Sequence, residues 1–251
     1  MSHQQFLRDL ETGTLRVAQR DAQGAWQVDA SVKQRILDYF GAHGLTEMGD
    51  EAHPQYQGFV DKEGLAPRRF TTADKVRLVP GGSSVRPGAY IAPKVVIMPP
   101  AFVNIGAYID EGTMVDSNVL VGSCAQIGKF VHLSAGVQIG GVLEPIGQLP
   151  VIIEDHAFIG AGSVIVEGIR VGEHAVVAAG TILSAAIPIY DTVRQKVYKG
   201  EVPAGAVVVS GSRPMSTQEN VGKDLHLHCA VIIKYRDEKT DAALQLEDFL
   251  R

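Results

Sequence analysis

Cysteine is nearly absent from this 251-residue chain: Cys124 and Cys229 are the only two, too few for a disulfide framework. Both sit among apolar neighbours, which points to buried, reduced thiols in a reducing compartment. Nothing beside Cys124 in sequence would lower its pKa, so it is a poor candidate nucleophile. Excess charge of one sign is missing too. With 23 basic and 28 acidic residues the net charge is −5, and no basic run or stripe marks a nucleic-acid partner. No stretch approaches the roughly eighteen apolar residues of a membrane span, and Met1 to Leu10 is polar rather than signal-like. A cytoplasmic protein without a membrane partner is expected. A phosphate-binding Gly–Lys motif and a dinucleotide fingerprint leading into a helix are also lacking. What remains, 45% hydrophobic and 20% charged, can bury one main core with smaller appendages.

What is present is a period of six. Eleven successive positions spaced six apart are aliphatic: Val79, Val85, Ile91, Ile97, Val103, Ile109, Val115, Val121, Ile127, Leu133 and Ile139. Neither a strand ladder nor a helix has that period, so one residue per six points inward from a short flat side, and about three sides close one coil of a parallel β-helix. Gly follows the aliphatic residue in Val121-Gly122, Ile127-Gly128, Ile139-Gly140, Ile159-Gly160 and Val171-Gly172, where a corner could use its permissive backbone. The period resumes, shifted by two residues, at Ile153, Ile159, Ile165, Val171, Val177, Leu183 and Ile189. The interruption, 140–152 with Pro145 and Pro150, reads as a loop thrown outward from one corner, either functional or merely tolerated. At about eighteen residues per coil, the two runs make about six coils.

Three regions follow. Residues 1–76 form a small helical domain: Asp29-Ala30-Ser31 with Gln34 is a capping signal, and Val32, Ile36, Leu37 and Phe40 make a helical stripe ended by Gly41. Residues 77–200 are the β-helix, all-β, with its 140–152 loop. The tail, 201–251, has strand-like runs at Ala206 to Ser210 and Cys229 to Tyr235, then a short amphipathic helix around Ala242 to Leu250, and could close the open end of the coil.

Residues 103–126, VNIGAYIDEGTMVDSNVLVGSCAQ, with IGKFVHLSAGVQIGGVLEP (127–145), IIEDHAFIGA and VPAGAVVVSG, resemble the tetrahydrodipicolinate N-succinyltransferase family. Leu15-Arg16-Val17-Ala18 with Trp26 resembles that family's N-terminal domain, and His228-Cys229-Ala230-Val231-Ile232 its C-terminal strand. The resemblance implies a left-handed parallel β-helix and a homotrimer with active sites between subunits. It also implies transfer of an acyl group from succinyl-CoA, or acetyl-CoA, to the amine of open-chain tetrahydrodipicolinate, 2-amino-6-ketopimelate. Such a reaction needs an acceptor for the amine's proton, a donor for the oxyanion, and cations or amides for the substrate's carboxylates. No metal is implied.

By the same resemblance Asp116, in TMVD, falls on the family's catalytic aspartate, as general base or amine-orienting group; an aspartate capping a coil corner is the plain alternative. Arg77 falls on a substrate-binding arginine, or is a solvated surface charge. Glu144, Asp110 and Glu111 match motifs without an assignable role. CoA is expected along Ala179, Gly180, Ser210, Gly211 and Arg213, with Lys199, Arg213 or Lys223 near its phosphates. The departures matter equally. Where the family has GARSEVVEG, this chain reads GAGSVIVEG, putting Gly162 for an arginine and Val164 for a glutamate, and the family's Thr-Trp after the aspartate is Ser117-Asn118. Loss of a carboxylate would leave a substrate cation unpaired. Either Glu167 or Glu144 substitutes, or the acceptor is a related amino-dicarboxylate of a lysine-derived natural-product pathway such as tabtoxin's; a non-catalytic trimeric scaffold is the further alternative. His132, His156 and His174 could each act as base or simply face solvent at a corner. His226 and His228 share a strand face, but no third ligand follows at metal spacing.

Overall fold

The structure is a computed structural model and describes residues 2–49, 51, 54–215 and 224–237. Lys223 and the helix expected around Ala242 to Leu250 lie outside the described residues. The six-residue period becomes a left-handed parallel β-helix of two-residue strands. The first face stacks Arg77–Leu78, Val96–Ile97, Met114–Val115, His132–Leu133, Phe158–Ile159 and Val176–Val177. The second stacks Ser84–Val85 through Leu120–Val121 and Val164–Ile165 to Ile182–Leu183. The third runs from Tyr90–Ile91 through Gln126–Ile127 to Glu201–Val202. In each strand the second residue points inward; in the first strand that residue is Leu78 and not Val79, so the six-residue series holds from Val85 onward and its first position is displaced by one. Ile97, Val115, Leu133 and Ile159 are all fully buried in one continuous core. Each contributes about 1.5–3 kcal/mol relative to exposure.

The glycines after the aliphatic residues serve differently from the sequence expectation. Gly122, Gly128, Gly140, Gly160 and Gly172 do not have positive φ; at four of the five corners the left-handed residue comes two positions later, at Cys124, Phe130, Gly162 and His174, while Gly140 opens the loop and Val142 is not left-handed. The reason for glycine at these positions is close approach between rungs. A Cβ on Gly160 would lie 2.4 Å from the backbone nitrogen of Ala179, and one on Gly122 2.2 Å from that of Gly141.

Nor is the 140–152 loop thrown outward. It folds back against the coil: Val142 and Val151 are buried, and Val142 donates its N–H to Ser123 O at 3.3 Å. The fully buried Lys33 donates from Nζ to Gln148 O at 2.5 Å, tying the loop to the N-terminal region. Helix α1 is His3–Glu11, whose buried stripe of Phe6, Leu7 and Leu10 is too short to mark a helix in the sequence; α2 is Ala30–Ala42, capped as expected by Asp29 Oδ1 accepting from Ser31 and Val32 N–H. Phe6, Leu7, Leu10, Val32 and Ile36 from the helices pack on Ile105 and Cys124 of the coil.

A hairpin, Ala18–Arg20 with Trp26–Val28, lies over the third face. Arg16 Nε donates to Gln126 Oε1 at 2.6 Å and its guanidinium sits 3.6 Å over Tyr108. Trp26 Nε1 and Arg20 both meet Glu154 Oε1 at 2.8 Å. Among the described residues the hairpin thus covers part of the third face, and the corner between first and second faces is left open. At the far end, Ala206–Pro214 and His226–Tyr235 pair antiparallel and extend the first face, with Ala230 and Ile232 joining the coil's core. Among the described residues no helix is long and apolar enough to cross a membrane.

Candidate active site

The open corner is built from equivalent three-residue turns: Asp116-Ser117-Asn118, Ser134-Ala135-Gly136, Gly160-Ala161-Gly162 and Ala178-Ala179-Gly180. Above Asp116 the side chains of this column are small. They leave a groove of about 490 Å³ whose floor is Met114, His132 and Phe158 of the first face and whose rim carries Asp116, Ser134, Ala161 and Ala179.

Asp116 accepts the N–H of Ser117 on Oδ1 at 2.7 Å. Asn104 and Asp110 make the same bond at 2.8 and 2.7 Å on other corners, so corner capping is common to all three and says nothing of chemistry. What sets Asp116 apart is its place on the groove. His132 is not at a corner facing solvent. It stands on the flat first face, 8% exposed, stacked on Phe158 with ring centroids 5.0 Å apart, and lines the groove with Asp116. The signal for this was present in the repeat, since the residue before each inward aliphatic must face out from a flat side. His156 and His174 do occupy corners, on another edge, with rings stacked at 4.7 Å.

Arg77 is exposed on the same face as Met114, with Val96 between them, so it lies two rungs, roughly 10 Å, along the axis. Ala179 lines the groove; Gly180 follows it at φ +69°, and Ser210 Oγ donates to Gly180 O at 3.2 Å, continuing the column. Gly211 has a packing role, since a Cβ there would meet Val231 Cγ2 at 2.6 Å. Arg213 is on the same strand, and its Nε is buried with no hydrogen-bond partner among the described residues.

Other sequence candidates fall elsewhere. Val164 faces out from the second face between Gln138 and Ile182 and does not line the groove. Gly162 is left-handed with open space where a side chain would go. Asn118 is likewise left-handed and exposed. Glu167 accepts the N–H of Ala185 at another corner and Glu144 is exposed in the folded-back loop; neither is among the residues that line this groove. Asp110 lines a separate cavity beside Arg16, Glu111 pairs with Lys94 at 2.7 Å, and Lys199 is exposed beside the 189–198 hairpin. His226 and His228 bond Ser212 Oγ and Ile182 O, and among the described residues no group of three or more His, Cys, Asp or Glu is arranged to hold a metal. Burial pushes the Cys124 thiol up to about 12, which suits a core residue and not a nucleophile.

A coil of hexapeptide repeats with a largely apolar groove along one corner that carries Asp116 and His132 is the build of a hexapeptide-repeat transferase, and residues 150–185 match the model described as the hexapeptide repeat of succinyl-transferase. Residues 3–42, which hold α1, the hairpin and α2, match the tetrahydrodipicolinate N-succinyltransferase N-terminal model. The 2,3,4,5-tetrahydropyridine-2,6-dicarboxylate N-succinyltransferase of Methylococcus capsulatus is 48% identical over 98% of this chain and 88% of its own length. Those of Leptothrix cholodnii and Xylella fastidiosa are 46% and 44% identical, over 98% and 96% of this chain and 87% and 85% of their own lengths. The chain belongs to the tetrahydrodipicolinate N-succinyltransferase family of enzymes.

Proposed function

We propose that this chain transfers a succinyl group from succinyl-CoA to the amine of 2-amino-6-ketopimelate, the open form of tetrahydrodipicolinate. The observation that carries this reading is Asp116 at one end of a groove whose small residues lead to Ala179 and Gly180. A bulky side chain along that corner would block an extended pantetheine arm; Ala161, Ala179 and Gly180 do not. Asp116 holds the acceptor's amine by hydrogen bond, and Arg77, on the same face, meets a carboxylate of the acceptor. Ser210, Gly211 and Arg213 extend the donor's track beyond Gly180, where Arg213 meets a phosphate of CoA. The active assembly is a homotrimer, in which a neighbouring copy closes the open corner, and the protein works in the cytoplasm without nucleic acid, membrane or metal.

A second reading rests on a specific observation. Among the described residues the groove's lining contains no lysine or arginine, and Gly162 and Val164 carry no charge. This favours an acceptor related to tetrahydrodipicolinate but with a different charge pattern, or acetyl-CoA as donor. Release of free thiol from succinyl-CoA and acetyl-CoA, with and without tetrahydrodipicolinate, decides between them. Acceptor-dependent release with succinyl-CoA supports the first reading. Release only with acetyl-CoA supports the second; silence with both donors refutes the first, and the assay is then repeated with other amino-dicarboxylates, where release supports the second and continued silence refutes it too.

A further inference from the structure

We infer that the cavity where the N-terminal hairpin lies over the third face is a second ligand site, which takes an α-amino acid bearing another amine on its side chain. It is separate from the groove and does not depend on the acyl-transfer reading. The cavity holds about 330 Å³, room for one such molecule. Its wall carries two guanidinium groups, Arg16 and Arg20, and four carboxylates, Asp110, Glu154, Asp155 and Glu173. Not all of these are open to a ligand. Glu154, 7% exposed, is saturated: Oε1 takes Trp26 Nε1 and Arg20 at 2.8 Å and Arg170 at 3.4 Å, and Oε2 takes the N–H of Glu173 at 3.2 Å. Arg20 is engaged in the same pair.

The remaining groups are not spent. Asp110 and Asp155 each use Oδ1 for a backbone N–H, of Glu111 at 2.7 Å and of Lys129 at 2.8 Å, and among the described residues nothing is bonded to either Oδ2. The Glu173 carboxylate meets the His174 ring at 3.4 Å through Oε1 alone. Arg16 is held from two sides, with Nε on Gln126 at 2.6 Å and its plane 3.6 Å over Tyr108, which leaves its terminal nitrogens unbonded among the described residues. A guanidinium fixed in this way is preorganised to grip a carboxylate by its outer edge. Charge then selects the ligand. Two guanidinium groups against four carboxylates leave an excess of two negative charges, of which Arg170 meets part through Glu154. A dicarboxylate, such as the acceptor proposed for the groove, adds to that excess, and a neutral amino acid leaves it unchanged. An amino acid with a second amine brings one net positive charge. Its carboxylate meets Arg16, and its ammonium groups meet Asp110, Asp155 and Glu173, whose open oxygens replace the water each ammonium gives up. Trp26 supplies an apolar wall for the methylenes between them. A metal ion fits less well, because among the described residues no three such groups are arranged to hold one.

Equilibrium dialysis of the full chain at low salt, with labelled L-ornithine and L-lysine as probes, tests the site. Both should bind, one per chain. L-Norleucine, which lacks the second amine, and cadaverine, which lacks the carboxylate, should compete about tenfold or more less well, since each forfeits a charged hydrogen bond. Asp110→Asn and Asp155→Asn keep an Oδ1 for the backbone N–H, so both fold as the wild type does, which their melting temperatures check; each should weaken L-ornithine about tenfold or more. Asp116→Asn, in the groove, should leave this binding unchanged. Retention of neither label at concentrations up to about 10 mM overturns the proposal. So does equal competition by norleucine or cadaverine, or loss of binding in Asp116→Asn with none in Asp110→Asn and Asp155→Asn. Thiol release by the wild type tests the acyl-transfer reading separately, so the failure of one is distinguishable from the failure of the other.

Discussion

Two glycines of one corner, Gly160 and Gly162, are required for opposite reasons, and replacing each with alanine separates them. At Gly160 a Cβ would lie 2.4 Å from Ala179 N and 2.8 Å from both Ala178 C and Val177 O. All three are backbone atoms of the next rung, and Gly160 N–H already donates to Val177 O at 2.7 Å. The rungs cannot part without breaking that bond and its neighbours, so the overpacking cost is at the upper end of the usual range, about 3 kcal/mol. At Gly162 nothing lies within 4 Å of a Cβ, but φ is +67°. The penalty is the left-handed backbone alone, about 1–2 kcal/mol, and both variants recover about 0.4–1 kcal/mol from a stiffer unfolded chain. Net costs are therefore about 2–2.5 and about 1 kcal/mol. For a chain of this size these lower the melting temperature by about 5–10 °C and about 2–4 °C. Thermal melts at matched protein concentration measure both, since any assembly makes the midpoint concentration-dependent. A Gly162→Ala protein that melts at or below Gly160→Ala would refute the close-approach argument.

Other expectations follow from single residues. Asp116→Asn should lower turnover by about 10²-fold or more with the melting temperature unchanged, because its capping bond to Ser117 can be kept by the amide oxygen; near-normal thiol release would remove Asp116 from the mechanism. Burial lowers the Lys33 pKa from its ordinary 10.5. Between the lowered folded value and 10.5 the unfolded chain binds more protons, so stability rises with pH in that window, and Lys33→Met should flatten the rise in urea titrations. A Lys33→Met variant that keeps the rise would show another group responsible. Cys124, with its thiol pushed up to about 12 by burial, should resist iodoacetamide at about pH 8 and react only after unfolding, a prediction that mass spectrometry checks directly; rapid labelling of the native chain would contradict it.

The six-residue period determined the coil without help from any contact, because one inward aliphatic per flat side is a purely local requirement that repeats. Leu133 and Ile159 are buried where their spacing puts them, and the shift at 140–152 marked the inserted loop. Asp29 likewise announced α2, since an N-cap acts within its own turn. Tertiary structure alone decided which way the loop turned: Lys33 and Gln148 are 115 residues apart, and no local pattern pairs them. It also decided why Gly160 is glycine, because the atom that forbids a side chain belongs to the next rung. The site divides in the same way. Asp116 could be picked out by motif and His132 placed on a flat side by phase, yet only stacking of successive coils brings residues 18 or more positions apart into one groove and leaves Val164 on another face.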